Sequence, residues 1–177
     1  MKLKALVAAL IATSGLMSMS AAQASDGTIT FTGSIVATTC TVNGGGAASS
    51  FTVALPPVDK AALSAAGQTS SPTPMTFNLT TCPAGQVHTL FEIGSSVDTA
   101  TGNLKNTTGT ATGVEIGILN PALAAINIAT QANDGAGTGQ TTTAGSATLT
   151  YYAQYVATAA ATSGTVASTV TYSIVYN

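Results

Sequence analysis

The clearest alternation of apolar and polar positions lies near the start of the chain, in the stretch DGTITFTGSI, Asp26 to Ile35. Threonine or serine alternates there with mostly apolar residues, which predicts a β-strand with one buried face. A glycine stands in the apolar row, where a strand loses packing and backbone entropy. No turn follows the stretch, so this strand has no hairpin partner next to it. The apolar row is Ile29, Phe31, Gly33 and Ile35.

Further segments with the same alternation follow along the chain, separated by glycine, proline and asparagine. Short strands divided by such turns, without a convincing amphipathic helix, predict an all-β sandwich. Val58–Gly67 is expected to be a helical turn or a loop, and the Gly/Thr-rich stretch Asn133–Gly145 an exposed, mobile loop. The remaining predicted strands cover Phe51–Leu55, Met75–Leu79, Val87–Ile93, Val114–Ile118, Ile126–Ile128, Leu149–Ala157 and Val166–Tyr176.

The first 24 residues have the pattern of a secretory signal peptide. Lys2 and Lys4 precede an apolar run, and Ala22-Gln23-Ala24 has the small residues of a cleavage site. The apolar run is too short to span a bilayer. Cleavage after Ala24 removes 24 of the 177 residues and leaves 153, with cleavage after Ala22 as the alternative. No second long apolar segment follows, so we expect one exported domain without membrane insertion.

Charge is sparse in the mature chain and argues against several classes of partner. The chain contains four lysines and no arginine, and removal of the leader takes away two of the lysines. Lys60 and Lys105 then stand against six acidic residues, which gives a net charge of −4. Binding to nucleic acid or to anionic lipid needs clustered basic side chains. Neither partner is therefore expected.

The chain contains two cysteines, Cys40 and Cys82. An exported protein folds in an oxidising compartment, so a single disulfide between them is expected. Closing a loop of this length stabilises the folded state by about 4 kcal/mol in the chain-entropy model. A free thiol or a metal pair is the alternative, although neither a nearby histidine nor a third cysteine supports it.

The residue pattern predicts neither catalysis nor a cofactor. A hydrolase needs a nucleophile beside a base, and the single histidine, His88, is expected to be an ordinary surface or core residue. Glycoside hydrolysis needs two facing carboxylates. Glu92 and Glu115 fall in predicted strands and could converge, but solvent-facing positions are expected for both. Metal-ligand spacing and a phosphate-binding glycine loop are also missing from the sequence. The protein is therefore expected not to be an enzyme.

Taken together, these features resemble the structural subunits of chaperone–usher fimbriae, the type 1-like pilins of Gram-negative bacteria. The signal peptide comes first, followed by DGTITFTGSI and by TTCTV around Cys40. TFNLTTC surrounds Cys82, and the segments TGNLKN and GVEIGILN match in character. The chain ends in LTYYAQYVATAAATSGTVASTVTYSIVYN, with Tyr176 as its penultimate residue. The resemblance spans essentially the whole mature chain.

The resemblance implies an incomplete immunoglobulin-like β-sandwich, which lacks its last strand and has an apolar groove along its core. Residues 25–35 would be an N-terminal donor-strand extension, and residues 36–177 would be the pilin domain. The extension of one subunit would fill the groove of another by strand addition. The donor row would be Ile29, Phe31, Gly33 and Ile35, with the glycine at a shallow point of the groove. The groove edge, where the chaperone also binds, would be Val170, Tyr172, Ile174 and Tyr176.

The function implied by the resemblance is structural. The subunit would polymerise head-to-tail into the shaft of a fimbrium (pilus) and support cell adhesion. Its partners would be copies of itself and other pilins, a periplasmic chaperone and an outer-membrane usher. The route would lead through the periplasm to a fimbrium on the cell surface. The chain has no room for an additional receptor-binding domain, so a shaft subunit is expected rather than a tip adhesin, with a minor adaptor subunit as the alternative.

A different class of function stays open at this point. The alternative is a self-contained secreted β-sandwich that binds a carbohydrate or a host protein. Such a domain would be a soluble monomer when expressed alone. A subunit with an open groove would instead aggregate or be degraded without its chaperone, because its unpaired strand edges and apolar surface are exposed.

Overall fold

The structure is a computed structural model, and it describes Thr30 and residues 39–43, 45, 49–134 and 139–177. The predicted signal peptide lies outside the described residues, and so do the predicted donor residues Ile29, Phe31, Gly33 and Ile35. From residue 39 onward, the described chain belongs to one compact unit, Val36–Asn177.

Strands dominate the described residues, which confirms the predicted all-β class. One short 3-10 helix, Lys60–Leu63, forms the expected helical turn. Asp59 caps it by accepting a hydrogen bond of 2.9 Å from the backbone N–H of Ala61. The strands are β1 (Thr41–Val42), β2 (Thr73–Thr80), β3 (Gln86–Phe91), β4 (Leu104–Lys105), β5 (Val114–Leu119), β6 (Ala125–Ile126), β7 (Gln140–Thr141), β8 (Ala147–Ala157) and β9 (Tyr172–Tyr176).

Two antiparallel sheets make up the fold. The larger sheet has the order β1-β2-β8-β5-β4, with β6 paired to β5, and the smaller sheet has the order β7-β3-β9. Met75, Phe77 and Leu79 of β2 are buried and their neighbours are exposed, because successive side chains of a strand point to opposite faces. Buried residues of both sheets meet in one core, which is the arrangement of a β-sandwich.

Three aromatic rings lie at the centre of this core and join the two sheets. Phe77 comes from β2, Tyr151 from β8 and Phe91 from β3, and all three are buried. The ring of Tyr151 meets the other two edge to face, with centroid distances of 5.9 Å to Phe77 and 5.3 Å to Phe91. Each such contact contributes about 0.5–1.5 kcal/mol beyond the area that it buries.

The hydroxyl of Tyr151 also supplies a partner for a buried backbone group. It accepts a hydrogen bond of 3.0 Å from the N–H of Thr89, a fully buried residue of β3. Burial raises the pKa of Tyr151, although the hydrogen bonds with Thr89 act in the opposite direction. One neutral side chain of the larger sheet thus fixes the backbone of the smaller sheet.

The predicted disulfide is confirmed: Cys40 and Cys82 are bonded and buried, with Cα atoms 4.2 Å apart. The bond joins the residue before β1 to the chain just beyond β2, so it reinforces the pairing of these two strands. The N–H of Cys40 also donates a hydrogen bond of 2.8 Å to the hydroxyl of Tyr176 on β9. The disulfide is therefore tied to the last strand of the other sheet.

Several strand boundaries differ from the prediction. Phe51–Leu55 belongs to no ladder of the described chain. The last strand is paired only in Tyr172–Tyr176, later than the predicted start at Val166, and β6 ends before Ile128. β7 lies inside the stretch that was expected to be a loop. Alternation shows which face of a segment is buried, but it does not show whether a neighbouring strand is present to pair with it.

The expectation that Glu115 faces solvent is wrong. Glu115 lies on β5 with only 6% of its surface exposed. Its carboxylate accepts hydrogen bonds from the hydroxyl of Thr101 at 2.8 Å and from the amide of Asn103 at 3.1 Å. These two donors offset the lost hydration of the carboxylate. Glu92 is exposed, as expected.

Replacing Tyr151 with Phe removes the hydroxyl and keeps the ring. The N–H of Thr89 then loses its partner in a buried site, so we expect the free energy of unfolding to fall by about 1–3 kcal/mol. Tyr155→Phe is the matched control, because burial rather than a hydrogen bond perturbs that hydroxyl. Denaturant unfolding measures both variants, and equal losses in the two would contradict the role given to the Thr89 contact.

Candidate functional site at an open strand edge

Among the described residues, β9 is an edge strand of the smaller sheet, with β3 on one side. The bonds that flank the ladder join Glu92 to Thr171 and Gln86 to Asn177. An antiparallel ladder bonds every second residue. The odd-numbered residues of β9 therefore bond to β3, and the backbone groups of its even-numbered residues point to the other side.

The same alternation begins before β9. The C=O of Thr165 accepts a hydrogen bond of 3.0 Å from the N–H of Ala111, and the C=O of Ala167 accepts one of 3.0 Å from the N–H of Thr107. The even-numbered residues from this point onward direct their N–H and C=O groups away from these partners. We call the stretch Val166–Tyr176 the open edge.

A cavity of about 460 Å³ lies beside the open edge. Residues 50–55 line it together with residues 168–172, and core side chains such as Phe77 and Phe91 form its floor. Phe51 is 38% exposed here, and its ring meets Phe77 edge to face at a centroid distance of 5.1 Å. Aromatic surface left open above a core is typical of a site that another molecule covers.

A second cavity of about 440 Å³ lies beside the preceding part of the chain. Ser163–Val166 lines it, Leu63 and Val114 supply apolar surface, and Leu55 lines both cavities. The two cavities are therefore consecutive sections of one groove. We call them the Tyr172 section and the Val166 section.

The structure brings the four predicted groove-edge residues together along the open edge. All four are partly buried and pack against the core. Val170 and Tyr172 line the Tyr172 section. Ile174 and Tyr176 continue the same row along β9, beyond the residues that line the cavity. The hydrophobic row read from the sequence is thus one continuous strand edge.

The opposite wall of the groove, residues 50–55, was not identified from the sequence. The hydroxyl of Tyr172 donates a hydrogen bond of 2.5 Å to the C=O of Ser49, and its ring lies 6.4 Å from that of Phe51. Tyr172 thus connects the two sides of the groove. The available signal was the alternation of Phe51–Leu55, which predicted a strand paired within the sheet.

Few ionisable groups lie near the open edge. Glu92 accepts a hydrogen bond from the hydroxyl of Ser173 on β9. The bond from Ser173, followed by one from Thr171, holds the pKa of Glu92 below its ordinary value. His88 is buried, with its Nδ1 3.3 Å from the side-chain nitrogen of Asn177. These groups stabilise the strand and are not arranged around a reacting centre.

The described part of the chain contains no group of three side chains that could hold a metal ion. Over the same residues, no helix is long and apolar enough to cross a bilayer. The groove offers apolar walls, a row of backbone donors and acceptors, and the buried Oγ of Ser168, which has no hydrogen-bond partner among the described residues. This arrangement suits the binding of an extended chain rather than a chemical reaction.

Comparison with known sequences shows the family of the chain. The type-1 fimbrial protein A family, FimA, matches residues 55–177. The major fimbrial subunit SMF-1 of Stenotrophomonas maltophilia is 46% identical over 166 residues, covering 89% of this chain and 96% of that protein. The F17 fimbrial protein of Escherichia coli is 37% identical over 176 residues, covering 90% of this chain and 92% of that protein. The chain belongs to the type-1 fimbrial protein family.

Solved pilus structures have the same fold. The P pilus rod subunit PapA matches with a TM-score of 0.59 at 20% identity, covering 79% of this chain and 100% of that one. A chain of a chaperone–usher pilus matches with a TM-score of 0.58 at 22% identity, covering 86% of this chain and 96% of that one. The fold is the immunoglobulin-like sandwich of these subunits. The chain is a structural subunit of a fimbrial shaft and not an enzyme.

Replacing Ser173 with Ala removes the main cause of the lowered pKa of Glu92. We expect that pKa to rise toward its ordinary value, as measured by NMR titration of the Glu92 carboxyl group. A lowered pKa in the folded state gives stability that is present above the unfolded-state pKa and is lost as pH falls through the folded one. The variant should therefore lose less stability on acidification than the unmodified protein.

Thr171→Ala is the matched control for this titration, because Thr171 makes the weaker of the two contributions to the pKa of Glu92. The pKa of Glu92 should rise less in Thr171→Ala than in Ser173→Ala. A larger rise in the control would contradict the assignment of Ser173 as the main hydrogen-bond donor.

Proposed function

We propose that the chain polymerises by donor-strand exchange, in which the groove of one subunit accepts the N-terminal extension of the next. The observation that carries this proposal is the open edge, where every second residue of Val166–Tyr176 directs its backbone groups away from the paired strands. Backbone groups like these, without a partner strand among the described residues, are a template for another strand. An added strand pairs with them through its backbone, and its alternate side chains enter the groove.

The predicted donor strand has the length and the pattern that this groove requires. Asp26–Ile35 spans about 33 Å at about 3.3 Å per residue, and the open edge spans about 36 Å. Alternate side chains of the donor would point toward the core. Ile29, Phe31 and Ile35 would bury apolar surface there. Gly33 would lie where the groove has no room for a side chain, which gives the glycine in the apolar row a role.

The proposed contact is heterologous, because the donor and the groove are different parts of the subunit. Such contacts do not close on themselves and therefore produce a filament. Each subunit donates one strand and accepts one, so the shaft grows head-to-tail from copies of this chain and other pilins. The resulting fimbrium on the cell surface would support cell adhesion.

Before assembly, the same edge needs a temporary partner. The groove exposes backbone groups and aromatic surface such as that of Phe51, and both favour aggregation. A periplasmic chaperone would cover the open edge by adding a strand along Val170, Tyr172, Ile174 and Tyr176. At an outer-membrane usher, the donor strand of another subunit would then replace the strand of the chaperone. The predicted signal peptide supports export to the periplasm, where both partners would act.

A self-contained secreted β-sandwich that binds a carbohydrate or a host protein is the alternative. A domain of that kind would cover its own core. Here about 460 Å³ of groove lies beside β9, and the ring of Phe51 in its lining is 38% exposed. The open groove therefore favours the fimbrial proposal.

Deleting the last eight residues, Val170–Asn177, removes most of the open edge. We expect the truncated chain to form no complex with its chaperone, because the strand to which the chaperone adds is gone. Co-purification of the co-expressed pair from the periplasm measures this. Recovery of a normal complex would rule out the proposed role of the open edge.

Two single substitutions separate loss of the groove edge from loss of folding. Val170→Asp places a charge on a partly buried side chain that packs against the core, and Thr169→Asp places the same charge on the neighbouring side chain, which is exposed. Only Val170→Asp should weaken the chaperone complex, since burying an unpaired charge costs several kcal/mol. Equal recovery of the two complexes would contradict the assignment.

Substitutions in the donor strand should block polymerisation without unfolding the subunit. Phe31→Asp would bring a charge into an apolar groove at a cost of several kcal/mol. Gly33→Leu would add a side chain where there is no room, at about 1–3 kcal/mol of strain. Both variants should be recovered with the chaperone, because their own grooves are intact, and electron microscopy should show no fibres.

Thr30→Asp is the control for these donor variants, because Thr30 belongs to the polar row and is exposed. It should still polymerise. If Phe31→Asp yields no chaperone-bound subunit at all, the segment belongs to the core of its own domain, and the donor-strand proposal is wrong.

A further inference from the structure

The half of the open edge that precedes β9 is held differently from β9 itself. β9 is fixed by its backbone ladder to β3. Residues 162–167 instead face residues 106–112, and most of the hydrogen bonds between the two segments involve side chains. We call these two segments the clasp. Its geometry depends on a few side chains instead of a regular ladder.

Asn106 is at the centre of the clasp. Its Nδ2 donates to the C=O of Ala111 at 2.7 Å and to the C=O of Thr165 at 3.1 Å. Its Oδ1 accepts from the N–H of Gly109 at 3.0 Å and from the N–H of Ala167 at 2.8 Å. An amide has two donor hydrogens and two acceptor positions. All four are used, two within the loop of Asn106 and two on the segment that carries the open edge.

Threonine pairs extend the clasp beyond Asn106. The N–H of Thr110 donates to the hydroxyl of Thr165 at 3.1 Å, and the N–H of Thr165 donates to the hydroxyl of Thr110 at 3.0 Å. The N–H of Thr112 donates to the hydroxyl of Thr162 at 2.9 Å. In each bond a side-chain hydroxyl takes the place that a backbone carbonyl has in a ladder.

Two glycines allow the segments to approach this closely. A Cβ atom on Gly109 would lie 2.2 Å from the carbonyl oxygen of Thr165. A Cβ atom on Gly164 would lie 2.5 Å from the backbone nitrogen of Ala111. Both distances are far below a van der Waals contact, so a side chain at either position would force the clasp apart.

The clasp forms one wall of the Val166 section of the groove, which Ala111 and Ser163–Val166 line. We propose that Asn106 is a positioning residue that sets the width of this section for the side chain at one end of an incoming donor strand. The inference rests on the proposed function. A displacement of residues 165–167 would alter the Val166 section and leave the ladder of β9 in place, because that ladder begins only at Tyr172.

The acceptor in the test is the full mature chain carrying Phe31→Asp, purified with its co-expressed chaperone, since this chain keeps its groove and cannot act as a donor. The probe is a fluorescent peptide of residues 25–36, and fluorescence polarisation follows its uptake. Asn106→Asp keeps the acceptor oxygen but places a second oxygen against the carbonyls of Ala111 and Thr165. Asn78→Asp makes the same change at an exposed position of β2, where the backbone makes the hydrogen bonds.

We expect Asn106→Asp to slow uptake of the peptide about tenfold, the effect of about 1.4 kcal/mol, and Asn78→Asp to leave it unchanged. Peptides with Ile29→Ala or Ile35→Ala then locate the effect. Only one of these two shortened side chains would enter the Val166 section. With the peptide that carries it, the slowing by Asn106→Asp should disappear. With the other peptide it should persist.

Equal slowing with all three peptides would show a general structural role and overturn the positioning proposal, as would no slowing with any of them. Failure of the acceptor with an unmodified clasp to take up any peptide would overturn the donor-strand proposal itself. If Asn106→Asp is not recovered folded, Thr110→Val replaces it, because it removes the hydroxyl that Thr165 bonds to. Thr110→Ser, which keeps that hydroxyl, should then restore normal uptake.

Discussion

An antiparallel strand can form hydrogen bonds on both sides, and β9 uses one of them among the residues described. The groove of the domain lies where this imbalance is found. The groove, the half-exposed Phe51 and the row from Val170 to Tyr176 all lie beside the unpaired side of the strand. A sandwich with this edge covered would have an ordinary core. With the edge open among the described residues, the domain has a groove lined by side chains of its own core.

The two sheets of the described chain are held together by contacts at the centre of the core and at one end. The aromatic contacts of Tyr151 and its bond to Thr89 connect the sheets at the centre of the core. The disulfide and the bond from Cys40 to Tyr176 connect them at one end. These contacts lie away from the Val166 section, where the open edge depends on the side chain of Asn106 and its threonine neighbours. The open edge therefore combines a half held by a backbone ladder and a half held mostly by side-chain hydrogen bonds.

Much of the fold follows from local patterns in the sequence. Alternation located β2, β5 and β8, because each of these strands buries residues in the core whichever strands pair with it. Cysteine count and export context identified the disulfide correctly. The row Val170–Tyr176 was predicted as one face of a strand, and the structure places it on the open edge. Each of these features could be predicted without knowing which distant residues lie next to it in the fold.

The features that the sequence did not show depend on partners that are distant in the chain. Glu115 alternates like a surface residue, but Thr101 and Asn103 allow it to be buried. Phe51–Leu55 has the pattern of a paired strand and lines a groove instead. Asn106 and Thr165 are 59 positions apart, and no periodicity connects them. The donor row stays a prediction, because its partner is a separate molecule.

The disulfide between Cys40 and Cys82 would have a mechanical consequence in a fibre assembled by strand exchange. Tension along the fibre would enter each domain at the strand bound to its open edge and leave through its own N-terminal extension. Ile35, the last residue of the predicted donor row, is only five positions before Cys40. The disulfide at Cys40 would pass the load directly to the end of β2, which is paired along its length with β8. The load would thus bypass the chain from β1 to Pro72, so that stretch, with the groove wall that it contains, would not be pulled out of shape when the fibre is stretched.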